Sequence, residues 1–273
     1  MIKRLFLGAV LAAATGLCQA ASQLHLLDAK VDVEDRASLQ NGARVFVNYC
    51  LSCHAMSYMR YNRVGKDLGL SDEQVAKNLM FAAGKVVDSM NVAMVPADAE
   101  RWFGIVPPDL SVIARARGAD YLYSYLVTFY QDDNPARPFG VNNVVKQGAA
   151  MPHVLWPLQG HQRYVKQAVE GKVAAETVTG LSTAGNDVLV HRAVTLASGE
   201  TVPAVDRLQV TGAGTLRPGE FRAAARDLVN FLVYASEPAQ LQRYGIGTWV
   251  LVFLALFFLL TRMLYKEYWK DVH

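Results

Sequence analysis

Two cysteines three residues apart, followed directly by a histidine, are the side chains of this sequence best suited to chemistry: Cys50-Leu51-Ser52-Cys53-His54. On one helical turn, each thiol can form a thioether to one vinyl group of a porphyrin, and the next imidazole then lies beneath the iron as an axial ligand. Two other chemistries use cysteines at this spacing. A thioredoxin-like redox pair needs a βαβ setting, and none precedes Cys50. A zinc site needs two further ligands at metal spacing. The third cysteine, Cys18, falls in a leader, and His25, His153, His161 and His191 are scattered. The pattern predicts one covalent haem c, with His54 on the iron.

An electron carrier closes the second face of the iron, usually with methionine or histidine. There are eight methionines. Met1 leaves with the leader, Met263 lies beyond an apolar span, and Met56 and Met59 follow His54 too closely. Met80 falls in a helical-looking stretch, Glu73 to Ala83, where filling core space is the usual role of methionine. Met90, Met94 and Met151 remain, with His153 as a different donor. Met151 sits in Gln147-Gly148-Ala149-Ala150-Met151-Pro152. Small residues there let the backbone approach a macrocycle, and the proline stiffens the approach. A haem catalyst or gas sensor would leave this position open.

The elements that position the motif are helical. Ser38 to Tyr49 reads as a helix with Val45 and Phe46 among its apolar positions and Ser38 as cap. Gly42 and Phe46 lie eight and four residues before Cys50. That spacing resembles the first helix of class I cytochromes c, where a glycine admits a crossing C-terminal helix. Asp227 to Ala235 is the expected partner, through Leu228, Phe231, Leu232 and Tyr234. The stretch 161–217 reads as strands and turns, including 187–190 and 193–196, and is expected to be a surface insertion without chemistry.

The two ends carry targeting signals. Lys3 and Arg4, an apolar run from Leu5 to Leu17 and Cys18-Gln19-Ala20 read as an export signal over 1–20. Tyr244 to Thr261 carries no charge, and about 18 residues at 1.5 Å each span roughly 27 Å, close to one bilayer crossing. Arg262, Lys266 and Lys270 follow it, against Arg243 just before. The positive-inside rule therefore puts His273 in the cytoplasm and 21–241 outside. With the six cations and two acids of the two ends set aside, 21–241 holds 21 basic and 22 acidic residues. Such a balance offers no phosphate-gripping patch and excludes nucleic acid. Six acids, Asp72, Glu73, Asp98, Glu100, Asp132 and Asp133, offer a field to steer a basic partner.

Several blocks resemble one family, the bacterial type of cytochrome c1, haem subunit of the ubiquinol–cytochrome c oxidoreductase (cytochrome bc1 complex). They are Leu26-Leu27-Asp28, Cys50 to Met56, Val106-Pro107-Pro108-Asp109-Leu110-Ser111, Ala114-Arg115-Ala116-Arg117-Gly118, Asp120-Tyr121, and Phe231 to Pro238 before the terminal span. The resemblance implies an electron-transfer subunit that is not catalytic alone. It implies Met151 as sixth ligand, Pro107 and Pro108 lining the haem pocket, and Arg117 and Tyr121 on the propionates. It further implies cytochrome b and a Rieske iron–sulfur protein as neighbours, cytochrome c as acceptor, and a dimeric complex. The expected architecture is mainly α: a class I cytochrome c-like domain at 21–241 in the periplasm with an extended insertion at about 161–217. A single inner-membrane helix follows at 242–264, touching lipid through 246–260, then a tail at 265–273. An anchored cytochrome c feeding another respiratory enzyme would carry the same ligands.

Overall fold

In the structure, a computed structural model that describes residues 24–92, 94–137 and 139–271, the helix before the two cysteines is α1, Arg36–Tyr49. The expected export signal and His273 lie outside the described residues. Short elements follow: β1 (Met56–Arg60), α2 (Tyr61–Leu68), α3 (Asp72–Asn78), β2 (Ser89–Met90), α4 (Pro96–Phe103), α5 (Ile113–Arg117) and α6 (Ala119–Val127). Then come β3 (Phe129–Gln131), β4 (Val141–Asn143), α7 (Trp156–Gln159) and the long strands β5 (Gly160–Val165), β6 (Val173–Ala184), β7 (Asp187–Leu196) and β8 (Thr201–Ala213). Two long helices, α8 (Pro218–Ser236) and α9 (Gln240–Tyr268), end the order.

The cap of α1 is Asp35, whose carboxylate accepts the Ser38 N–H, one of the amides a helix start leaves without a partner. Ser38, the cap expected from sequence, works elsewhere. Its hydroxyl donates to Asp227 at 2.7 Å and accepts from Asn230 Nδ2 at 3.0 Å, which ties α1 to α8. Where the helices cross, a Cβ on Gly42 would lie 2.0 Å from the Asp227 carbonyl oxygen and 2.7 Å from the Phe231 Cβ. Only glycine admits this approach, and it brings the rings of Phe46 and Phe231 to 5.7 Å. Leu39, Phe46, Leu228, Val229 and Phe231 are all buried in that seam.

The architecture corrects the expectation of a mainly α domain. A six-stranded sheet, in the order β4-β3-β5-β8-β7-β6, is as much a part of the fold as the helices. The stretch expected to be a surface insertion forms the antiparallel meander β6-β7-β8, registered from Ala184↔Asp187 and Thr195↔Thr201. β5 then joins the meander to the part of the fold that carries the Cys50 motif, pairing antiparallel with β8 and parallel with β3 at Gln131↔Arg163. Val188, Val190 and Leu208 on the buried face enter one hydrophobic core with Phe221, Ala225 and Leu228 of α8. A parallel pairing across 32 residues leaves no local turn signal, so alternation alone could not join the sheet to the domain.

The far half of that buried face holds an ion cluster. Arg192 and Asp206 face each other with 3% and 0% of their side chains exposed, through a bond from Nε and a second from Nη2 at 2.8 Å. The Tyr164 hydroxyl donates to Asp206 at 2.6 Å, the Gln167 amide at 2.9 Å, and Glu176 reaches Arg192 at 2.9 Å. Burial pushes the Asp206 carboxyl up, but these donors outweigh it and hold the group below its usual value. Because the folded pKa is depressed, the stabilisation is present above the unfolded value near pH 4 and is lost as pH falls below it. Asp206→Asn removes the buried charge opposite Arg192 and leaves the guanidinium only the partly exposed Glu176 as a charged partner, which is expected to cost about 3 kcal/mol. Thermal melts of the purified variant should show a drop on the order of 10 °C at neutral pH, and an unchanged melting point would contradict this account.

Among the described residues one helix, α9, is long and apolar enough to cross a membrane, with a mean hydropathy of 2.1 over its best window. Its 29 residues span about 43 Å. At its base Glu237 takes Arg243 of α9 at 2.7 Å and stands 3.9 Å from Arg115 of α5, so the start of α9 is tied to the helices before it.

Candidate functional site

The end of α1 winds the motif into a single tight turn. The Phe46 carbonyl accepts from both Cys50 and Leu51, and the Cys50 carbonyl accepts from Cys53 at 3.0 Å and His54 at 2.8 Å. One carbonyl thereby gathers the second thiol and the imidazole beside the first thiol. The two cysteines form no disulfide. Burial, and then the neighbouring Cys53, pushes the Cys50 thiol up to about 12. No group of three or more His, Cys, Asp or Glu among the described residues is placed to hold a metal ion.

His54 Nδ1 lies 2.8 Å from the Pro108 carbonyl oxygen. A carbonyl can only accept, so the proton sits on Nδ1, and Nε2 keeps its lone pair for a metal. Burial lowers the His54 pKa, opposed by the Pro108 carbonyl and by Asp109, so the ring is neutral, as a ligand must be.

The motif opens onto an apolar cleft that is partly open to solvent. Cys50, Cys53, His54, Pro107, Pro108 and Met151 all line it, gathered from segments about fifty residues apart. Tyr49, Phe103, Ile105, Ala150, Pro152 and Val154 complete the lining. Ala150 and Pro152 belong to the loop read from sequence around Met151, whereas Tyr49, Phe103, Ile105 and Val154 were not read as pocket residues, although an aromatic directly before the motif and a Phe-Gly-Ile run before the prolines carry a faint signal. Phe103 is braced by the Phe139 ring at 5.9 Å. Two free thiols, a preset imidazole and a thioether on an apolar wall fit a covalently bound haem in their donor set.

The loop bearing Met151 is positioned by two buried asparagines that sequence reasoning missed. Asn143 Oδ1 accepts the Val145 and Lys146 amides, at 2.9 and 3.1 Å, and its Nδ2 donates to the Tyr125 carbonyl at 2.7 Å. Asn142 Oδ1 accepts the Gly148 amide at 2.9 Å, where Gly148 turns at φ 68°. A consecutive Asn-Asn pair ahead of a glycine is the available sequence signal, since Asx side chains satisfy loop amides.

Other expected candidates fall elsewhere. Met90 is fully buried in β2 opposite Met56, and neither it nor Met94 lines the cleft. His153 is buried and stacked on Phe129 at 5.0 Å, with burial holding it at about 4 despite Gln159. Arg117 and Tyr121 are absent from the cleft lining. The Arg117 guanidinium lies 5.6 Å over the Tyr121 ring, and rings continue through Tyr125 and Phe129 to His153. Three of the six steering acids are engaged locally. Asp98 pairs with Arg101, Asp133 with Arg163 at 3.2 Å, and Asp132 is a brace between Arg137 at 3.1 Å and Asn142 at 2.9 Å.

Comparison with known proteins agrees with this geometry. A sequence profile described as Cytochrome C1 family matches residues 28–168 and 215–272, which leaves out the β6-β7-β8 meander. Cytochrome c1 of Allochromatium vinosum is 42% identical over 97% of this chain and 96% of its own length. The ammonia monooxygenase gamma subunit of Nitrosomonas europaea is 40% identical over 100% of this chain and 99% of its own. Cytochrome b/c1 of Bradyrhizobium diazoefficiens is 26% identical over 88% of this chain and 34% of its own length. The chain belongs to the cytochrome c1 family and is a haem electron carrier of the bc1 complex with one covalent c-type haem.

Proposed function

We propose that the chain accepts single electrons from a Rieske iron–sulfur protein and passes them to a cytochrome c, beside cytochrome b in a dimeric complex. The observation that carries this is the apolar cleft on which Cys50, Cys53, His54 and Met151 converge. Cys50 and Cys53 hold the porphyrin by thioethers, His54 Nε2 and Met151 Sδ bind the iron, and Pro107 and Pro108 wall the pocket. Arg117 and Tyr121 are assigned to the propionates by the family resemblance alone, since neither lines the cleft. When bound, the haem supplies reversible one-electron transfer at its iron. The chain's own residues would offer the iron one imidazole and one thioether and surround the group with apolar side chains. No side chain transfers a proton, and quinol chemistry belongs to cytochrome b.

Residues 1–20 act as export signal, 21–241 as the periplasmic domain, 242–264 as the membrane crossing and 265–273 as the cytoplasmic tail. The cations Arg262, Lys266 and Lys270 support this orientation in the inner membrane. Purification of the detergent-solubilised chain tests the assignment. Cytochrome b and an iron–sulfur polypeptide should accompany it, with one haem per chain that resists acid–acetone extraction. Recovery with a different enzyme and neither of those polypeptides would transfer the chain to the reading in which it feeds another respiratory enzyme.

A further inference from the structure

The Pro108 carbonyl that fixes His54 belongs to a loop with little means of holding itself. Neither Pro107 nor Pro108 has an N–H, so this part of the chain cannot donate to a ladder. The loop is instead strapped to the segment just after His54. The Leu110 amide donates to the Ala55 carbonyl at 2.8 Å, and the Tyr58 amide donates to Ser111 Oγ at 3.1 Å. Asp109 is the centre of the strap. One carboxylate oxygen accepts the Ser57 amide at 3.0 Å, and the other accepts the Ser111 amide at 2.7 Å. Both oxygens are engaged although the residue is exposed. The engagement is strong enough to outweigh desolvation, the largest influence, and leave the carboxyl below its usual value.

We propose that Asp109 is a positioning residue for the His54 imidazole, its carboxylate clamping loop 107–111 to residues 55–58 so that the Pro108 carbonyl stays on the Nδ1–H. This rests on the reading that His54 Nε2 binds the iron. A carbonyl held on Nδ1–H fixes the plane of the ring and raises the basicity of Nε2, which favours the ferric state. An asparagine at 109 can accept with its one oxygen only and turns an NH₂ toward the other amide. The loop then loosens, the imidazole turns, and the ferrous state gains.

The test uses the full chain in detergent with its haem attached, comparing wild type, Asp109→Asn and Ser111→Ala. Ser111→Ala removes the Tyr58 strap but leaves the charge of Asp109 in place. The ferric low-spin electron paramagnetic resonance spectrum reads the orientation of the axial ring, and a redox titration reads the potential. Asp109→Asn should shift the largest g-value and raise the midpoint potential, and Ser111→Ala should shift the g-value in the same sense by less. A raised potential with unmoved g-values in both variants would mean that the carboxylate acts by charge alone, and the positioning role fails. Wild-type spectra from both variants would sink it equally. Should Asp109→Asn fail to retain haem, Ser111→Ala decides alone: a shifted g-value supports the clamp and an unshifted one removes it. A wild-type spectrum without a histidine-ligated low-spin signal would instead overturn the ligand assignment itself.

Discussion

Met151→Leu is expected to leave the iron without its thioether ligand while the fold survives. Leucine has nearly the volume of methionine, and such exchanges cost under about 1.5 kcal/mol in a packed setting. The loop has its own support in Asn142 and Asn143, which hold the amides of Val145, Lys146 and Gly148 independently of residue 151. The variant should therefore keep its covalent haem and lose one bond. Thioether ligation raises the potential by favouring the ferrous state. Its loss should lower the midpoint potential by on the order of 0.1 V or more, within the roughly 0.8 V that axial ligands span. The ferrous protein should also bind carbon monoxide, which the intact chain should exclude. Redox-titrated optical spectra of the two purified proteins decide the matter, and an unchanged spectrum and potential would take Met151 off the iron. Ready carbon monoxide binding by the wild type would favour a catalyst or sensor with an open sixth position.

Gly42→Ala carries the second large effect, and its sign is diagnostic. At an ordinary helix position this change gains about 1 kcal/mol, since alanine is the better helix former. Here the new methyl would lie 2.0 Å from the Asp227 carbonyl oxygen, part of the α8 backbone, and no flexible side chain can give way. The helices must separate, which pulls Phe46 away from Phe231 and Ser38 away from Asp227 and Asn230. Overpacking of this kind costs about 3 kcal/mol, which reverses the propensity gain. Because α1 runs directly into Cys50, the motif turn moves with it, so haem content in the membrane fraction should fall along with the melting temperature. A variant as stable as the parent would show that α1 and α8 do not meet as described.

How far the sequence could be read depended on the distance over which each feature is encoded. The Cys50–His54 motif is complete within five residues, so its chemistry could be read without a fold. The glycine at position 42 and the apolar run at 228–234 were legible because each belongs to one helix with its own periodicity. The apolar span before Arg262 was legible for the same reason. Cleft residues such as Phe103 and Val154 were not, since nothing local distinguishes an aromatic or a valine that faces a cofactor from one that fills a core. Asp132 looked like a surface charge until Arg137 and Asn142 were seen on either side of it.

The sheet shows the same division more sharply. The runs 187–190 and 193–196 announced strands, but the expected surface insertion turned out to carry β5, β6, β7 and β8, four of the six strands of a sheet that continues into β3 and β4. By itself the sequence determined which residues can bond covalently to a porphyrin, where the chain turns helical around them, and which end is apolar enough for a membrane. Only the tertiary structure decided that Met151 meets the same cleft as Cys50, that the Pro108 carbonyl sets the tautomer of His54, and that Asp206 neutralises Arg192. The physical reason is that helical period, hydropathy and covalent spacing are properties of consecutive residues. A hydrogen bond or a shared cavity depends on distances between segments that only the closed fold brings together.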